Sequence, residues 1–69
     1  MRRLPIESSV LASTGYDPEI AVLELEFRSG EVYRYFAVPP SVHAGLLAAP
    51  SAGRFFTQRI RDHYPTEHA

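Results

Sequence analysis

The strongest pattern in the chain is an alternation of apolar and charged side chains over residues 21–28. Leu23, Leu25 and Phe27 alternate there with glutamate and arginine. A period of two predicts a β-strand with the apolar side chains on one face and the charges on the other. Residues 32–38 (VYRYFAV) form a second predicted strand, and the connection is too short for a crossover helix. The two strands are therefore expected to pair as an antiparallel hairpin.

Two registers of this hairpin compete, and they assign the side chains to opposite faces. A two-residue turn at Ser29-Gly30 places Arg34 opposite Leu25, in the middle of the apolar face. A three-residue loop over residues 28–30 instead gives Gly30 the left-handed position of a type I turn with a bulge. In that register the facing pairs are Leu25 with Tyr33, Leu23 with Tyr35, and Glu24 with Arg34. We expect the three-residue loop, because it matches apolar with aromatic and acidic with basic residues.

The segments before the hairpin have weaker patterns. Residues 8–14 are small and β-branched, which favours a short first strand. Gly, Asp and Pro within residues 15–19 predict a turn. We expect a three-stranded antiparallel meander with an ordered core over residues 8–65 of a single domain, a loose lead-in at residues 1–7 and a tail at 66–69.

Two short helices are expected after the strands. Pro39-Pro40 ends the last strand, and Ser41–Ala49 has the apolar spacing of a helix that Pro50 stops. Ser51 is a candidate N-cap for a second helix to about His63. Its apolar row is Phe56, Ile60 and Tyr64. Because such short helices are unstable alone, both are expected to pack on the apolar sheet face in a two-layer α+β domain.

The amino-acid composition excludes or disfavours several classes of function. The chain of 69 residues has no cysteine, which excludes disulfides and thiolate zinc sites. All seven basic residues are arginine, yet the net charge is −1, which disfavours strong non-specific binding to nucleic acid. No apolar run is long enough for a signal peptide or a membrane span, so we expect a cytoplasmic protein without a membrane partner.

The order and spacing of several short pieces carry a family resemblance. They are Leu23-x-Leu25-x-Phe27, Gly30, Tyr33-Arg34-Tyr35, Val38-Pro39, Ala49-Pro50-Ser51-Ala52-Gly53, Phe56, Ile60 and Tyr64. Together they resemble the KTSC domain, a small bacterial domain named after the C-terminus of some lysyl-tRNA synthetases. The resemblance implies a domain that occurs alone or appended to larger proteins, with no established activity, and RNA binding suggested by the synthetase association. The chain departs from the family pattern at Pro50 and Thr57.

No grouping of residues predicts an enzyme. The three histidines, His43, His63 and His68, lack metal-ligand spacing, and no nucleophile is grouped with a base. Glu24, Glu26 and Glu31 are expected to be exposed on the hairpin, where a raised pKa is unexpected. We expect no catalytic residue, no metal and no cofactor.

The candidate binding residues fall on two predicted surfaces. The face of the sheet away from the helices, called the outer face below, would carry Arg34, Phe36, Val22 and Val32. The second helix would present Arg54, Gln58 and Arg61. Tyr33 and Tyr35 are base-stacking candidates in principle, but the chosen register places their rings under the helices.

These surfaces predict a non-enzymatic binding module. Protein binding or self-association as a homodimer is slightly favoured by the charge balance. The alternative is binding of tRNA or single-stranded RNA by arginine and aromatic side chains.

Overall fold

A five-stranded antiparallel sheet, with its strands in chain order, forms one layer of the protein, and two helices cover one face. The computed structural model describes residues 1–69. The elements are β1 (Leu4–Pro5), β2 (Leu11–Asp17), β3 (Val22–Phe27), β4 (Val32–Tyr35), α1 (Pro40–Ala48), α2 (Ala52–Phe55) and β5 (Thr66–His68), with a π-helical segment (Phe56–Ile60) continuing α2. The α+β class is confirmed, whereas the predicted number of three strands is wrong.

The β3–β4 hairpin has the register of the three-residue loop. Leu23 pairs with Tyr35, Glu24 with Arg34, and Leu25 with Tyr33. The loop is closed by hydrogen bonds from Phe27 N to Glu31 O (2.8 Å) and from Gly30 N to Phe27 O (2.9 Å). Gly30 has a φ of 97°, a conformation that only glycine adopts without strain. The sequence-based choice between the two registers is therefore confirmed.

The core lies between the sheet and the helices. Its fully buried members include Leu11, Leu23, Leu25, Val38, Leu46 and Ile60. The Phe56 ring contacts Phe27 and Tyr35 edge-on, with centroid distances of 5.2 and 5.8 Å. Each such side chain contributes roughly 1.5–3 kcal/mol on burial. The helices are thus held on the face that carries Leu23, Leu25 and Tyr35, as predicted.

The strand that precedes the hairpin is shifted from its predicted position. It spans Leu11–Asp17 instead of residues 8–14, and the turn lies at residues 18–21 instead of 15–19. Gly15, which the pattern places in the turn, lies inside β2, beside the residues that precede β1. A Cβ atom on Gly15 would stand 2.6 Å from the carbonyl oxygen of Arg2. The glycine therefore serves a close backbone approach.

Residues predicted as a lead-in and a tail form the two edge strands. β1 pairs with β2, and β5 pairs with β4, both antiparallel. Backbone bonds from Phe36 N to Pro65 O (2.9 Å) and from Ala69 N to Val32 O (2.8 Å) flank β5. Both edge strands are short and exposed, which limits edge-to-edge aggregation.

The second helix ends earlier than predicted and changes its hydrogen bonding. Ser51 is the N-cap, as predicted, because its Oγ accepts from the Arg54 amide at 3.2 Å. The last turn is π-helical, with Arg61 N donating to Phe56 O at 2.8 Å. The helix stops at Ile60 instead of about His63, and Asp62 adopts a left-handed φ of 62°.

A buried carboxylate lies on the outer face of the sheet. Glu24 was expected to be exposed, but only 4% of its surface is accessible. Its Oε1 accepts from Arg3 Nη1 and its Oε2 from Arg34 Nε, both at 2.9 Å. Gly15, its neighbour in β2, has no side chain and leaves room for Arg3 to reach it. The two arginines compensate the cost of burying this charge.

Substitution of Gly30 tests the basis of the hairpin register. We expect Gly30→Ala to lower the free energy of unfolding by about 1 kcal/mol, because alanine is strained at positive φ. Gly30→Asn is the matched control and should lower the free energy of unfolding by less, since asparagine tolerates a positive φ better than alanine does. Urea unfolding measures both, and a Gly30→Ala variant as stable as the wild type would contradict the explanation.

A double-mutant cycle tests the buried carboxylate. We expect Glu24→Gln and Arg34→Gln to show a coupling energy of about 1 kcal/mol, a modest value because the Arg34 side chain is 46% exposed and screened by water. The control cycle is Arg61→Gln with Asp62→Asn, an exposed pair at 4.0 Å that should couple by about zero. Equal coupling in the two cycles would show that the burial of Glu24 adds nothing.

Candidate binding surface

The two candidate tyrosines are engaged in packing. Tyr35 is 5% exposed with its ring against Phe56, and burial raises the pKa of its hydroxyl. Tyr33 is half-buried and packs edge-on against Phe27 and His68. Its hydroxyl donates to Glu31 Oε2 at 2.8 Å, and this hydrogen bond raises the pKa of Tyr33. Neither ring lies on the outer face as an open stacking platform.

The outer face brings Arg34 together with acidic residues. Its guanidinium binds Glu24, and Glu67 of β5 stands opposite it in the sheet. Ser13 donates to Glu26 Oε1 at 2.8 Å on the same face. Phe36 follows directly after β4 and is half-buried. The positive charge of Arg34 is therefore balanced within the protein.

The helical layer, unlike the outer face, has positive charges that no acidic residue of the layer balances. Residues 40–60 contain two arginines, Arg54 and Arg59, and no aspartate or glutamate. Neither arginine lies within 4 Å of an acidic side chain, since the ion pairs of the chain involve other residues. Both guanidinium groups thus face solvent without an internal counter-charge.

These arginines flank an aromatic ring. The Arg59 guanidinium carbon lies 5.7 Å from the centroid of the Phe55 ring, a cation–π distance. Arg54, Phe55 and Gln58 line a shallow groove of about 210 Å³ with Pro50 and Ser51. We call the set Arg54, Phe55, Gln58 and Arg59 the α2 surface.

Local sequence explains how the α2 surface is positioned. The Ser51 cap fixes the start of α2, and the buried Phe56 and Ile60 anchor the opposite side of the helical segment. The Phe55 ring lies against α1 at Gly45, so it is half-buried and stays at the edge of the layer. The Thr57 hydroxyl donates a hydrogen bond back to Gly53 O at 3.0 Å.

The structure divides the predicted arginine row. Arg54 and Gln58 share the groove, but Arg61 follows the π-helical segment and lies 4.0 Å from Asp62. The positive charge of Arg61 lowers the pKa of Tyr35 and so offsets part of the rise that burial causes. Arg61 therefore lies near the Tyr35 ring, at the end of the helical layer. The sequence pattern predicts Arg59 on the flank of this row and Phe55 beside the apolar row, and it misses their contact, although their i, i+4 spacing and the absence of acidic residues from 40–60 were readable in the sequence.

Two further kinds of feature are absent from the structure, a metal-binding cluster and a helix that could span a membrane. No three histidine, aspartate or glutamate side chains converge where they could hold a metal ion. None of the helices has the length and apolar character needed to cross a membrane.

Comparison with known proteins adds relatives of two kinds. The chain is 54% identical over 65 residues to an uncharacterised protein of Stutzerimonas stutzeri, covering 93% of this chain and 92% of that one. It is 43% identical over 61 residues to a lysine–tRNA ligase of Nostoc punctiforme, covering 88% of this chain but only 11% of the ligase. The similarity therefore extends both to a small protein and to one segment of a much longer enzyme.

A solved structure has the same fold. The crystal structure of a KTSC domain protein from Yersinia pestis superposes with a TM-score of 0.96 at 37% sequence identity, covering 99% of this chain and 96% of that one. The sequence profile of the KTSC domain matches residues 7–64. With most of its length matched in sequence and nearly all of it in structure, the chain belongs to the KTSC domain family.

Proposed function

We propose that the chain is a non-enzymatic protein-binding module whose α2 surface contacts acidic side chains of its partner. The observation that carries this proposal is the contrast between two sets of arginines. Arg34 is ion-paired with a buried carboxylate, whereas Arg54 and Arg59 have no acidic side chain within 4 Å. An unpaired guanidinium is free to form a bidentate bond with a carboxylate from another molecule.

The composition of the α2 surface also fits a protein interface. Arginine and aromatic residues are enriched in such interfaces and contribute most of their binding energy. Phe55 supplies an apolar contact that is already ordered by packing, and Gln58 supplies both a donor and an acceptor. A partner with carboxylates around an apolar side chain would complement all of these groups.

A second copy of the chain is the first partner to test. Most soluble assemblies are symmetric homodimers, and the outer sheet face with Arg34 and Phe36 stays a second predicted contact surface. The exposed acidic residues of one copy, such as Glu7 and Glu19, can serve as counter-charges for the α2 surface of another.

RNA is the alternative partner, and one observation favours it. Three lysine–tRNA ligases, two from Nostoc strains and one from Trichormus variabilis, contain a segment 38–43% identical to this chain. The unpaired guanidinium groups that suit carboxylates also suit phosphates. With two such arginines, the dependence of log K on log salt should have a slope of only about −1.5.

The decisive variant removes both unpaired arginines. We expect Arg54→Gln with Arg59→Gln to weaken partner binding or self-association by at least about tenfold, because each lost charge-assisted contact costs roughly 1 kcal/mol or more. Arg2→Gln with Arg61→Gln removes the same number of exposed arginines outside the α2 surface and is the control matched in charge. Sedimentation equilibrium measures self-association, and a protein captured from extract is purified and titrated against all variants.

Each outcome of this experiment has a definite meaning. Unchanged binding by the double variant, with loss in Phe36→Ala, would overturn the α2 surface in favour of the outer face. Saturable binding of bulk tRNA at low salt, lost in the double variant, would replace the protein partner by RNA. The cytoplasmic location stays a prediction, and fractionation of producing cells tests it.

A further inference from the structure

A cleft separate from the α2 surface opens between the β1–β2 edge of the sheet and α1. Its volume is about 400 Å³, within the range of small-molecule pockets. The residues that matter for its chemistry are Arg2, Leu4, Thr14, Tyr16, His43 and Leu47. None of them belongs to the α2 surface, so an occupant of this cleft would be independent of the partner proposed above.

Three polar side chains of the cleft, those of Arg2, Thr14 and His43, have no hydrogen-bond acceptor within the protein. Arg2 forms no ion pair within 4 Å. Thr14 is 2% exposed, and its hydroxyl has no hydrogen-bond partner. The His43 ring stacks on Tyr16 at 4.8 Å, and burial lowers the pKa of His43, which keeps the imidazole neutral near pH 7 with one N–H to donate. No carboxylate lines the cleft, so its chemistry selects an anion.

The remaining lining is apolar. Leu4 and Leu47 are 56% and 52% exposed, among the most exposed large apolar side chains of the protein. The Tyr16 ring forms another wall, and its hydroxyl is already donated to the Val38 carbonyl at 2.6 Å. It therefore leaves the donor role to Arg2 and His43. Covering the two leucines would remove apolar surface from water.

The position of Arg2 is a consequence of the fold. The residues just before β1 run beside Gly15 of β2, where the carbonyl oxygen of Arg2 comes close enough to exclude any side chain. The next residue, Arg3, reaches Glu24 on the outer face. Neighbouring arginines thus have different environments, and Arg2 has no counter-charge.

We propose that this cleft binds a small carboxylate whose apolar body packs between Leu4 and Leu47. Its carboxylate accepts from the Arg2 guanidinium and the His43 imidazole. Charge and apolar body are both required, because neither the donors nor the leucines alone provide more than a weak contact with a ligand exposed to water.

Three probes separate these requirements. Hexanoate has both features, hexanamide has the apolar body without the charge, and acetate has the charge without the body. In amide-resolved NMR titrations, we expect hexanoate to give saturable shifts at Thr14, Tyr16, His43 and Leu47, with a dissociation constant below about 10 mM. Hexanamide and acetate should bind at least about fivefold more weakly.

Two variants locate the site. Leu47→Glu replaces an exposed residue, should not unfold the protein, and should abolish hexanoate binding by repulsion. Arg2→Gln should weaken it at least about fivefold, whereas Arg54→Gln, its control on the α2 surface, should leave it unchanged. Equal affinity for hexanamide, shifts that map elsewhere, no saturation, or no effect of Arg2→Gln would each overturn the carboxylate site. These results are independent of the α2 surface, so either proposal can fail alone.

Discussion

The register of the β3–β4 hairpin is the constraint on which the rest of the structure depends. Gly30 accepts a left-handed conformation that lets a three-residue loop close with two backbone hydrogen bonds. Leu23 and Leu25 share a face because side chains alternate with a period of two, and the loop length decides that Tyr33 and Tyr35, not Arg34, join them there. The helices cover this apolar face, and Phe56 packs on it through Phe27 and Tyr35. A slip by one residue would place Arg34 in the middle of the face that the helices cover.

The same register determines what the charged residues can do. It sets Glu24 opposite Arg34 on the outer face, and the close approach of the residues before β1 to Gly15 brings Arg3 to the other carboxylate oxygen. Removing one partner from such an arrangement leaves a buried charge uncompensated, which is why these arginines act in stability. The arginines of the helical layer have no such neighbour. Residue type alone therefore does not distinguish these two sets of arginines, whereas the distance to the nearest carboxylate does.

The predictability of the fold followed the strength of local patterns. The hairpin register could be derived because alternation, charge pairing and a loop glycine all agreed. β1 and β5 could not, since strands of two and three exposed residues have no periodicity and exist only because a neighbouring strand offers free backbone groups. The prediction for Gly15 was wrong for a related reason. A glycine allows either a turn or the close approach of a neighbouring backbone, and the sequence alone does not say which of the two occurs. The π-helical end of the second helix had no sequence signal that we can identify.

The candidate surfaces also divide into features that local sequence patterns predict and features that depend on tertiary packing. Burial of Tyr35 and exposure of Arg54 followed from the register and the helix pattern, but the pairing of Phe55 with Arg59 and the cleft beside α1 arose from tertiary packing. The net charge of −1 disfavoured anionic ligands because it averages over the whole chain. In the folded protein, acidic residues are absent from 40–60, while Glu24, Glu26 and Glu67 lie on the hairpin and its neighbouring strand. A ligand responds to the local field of the surface it touches. The helical layer therefore carries a local positive charge although the net charge of the whole protein is −1.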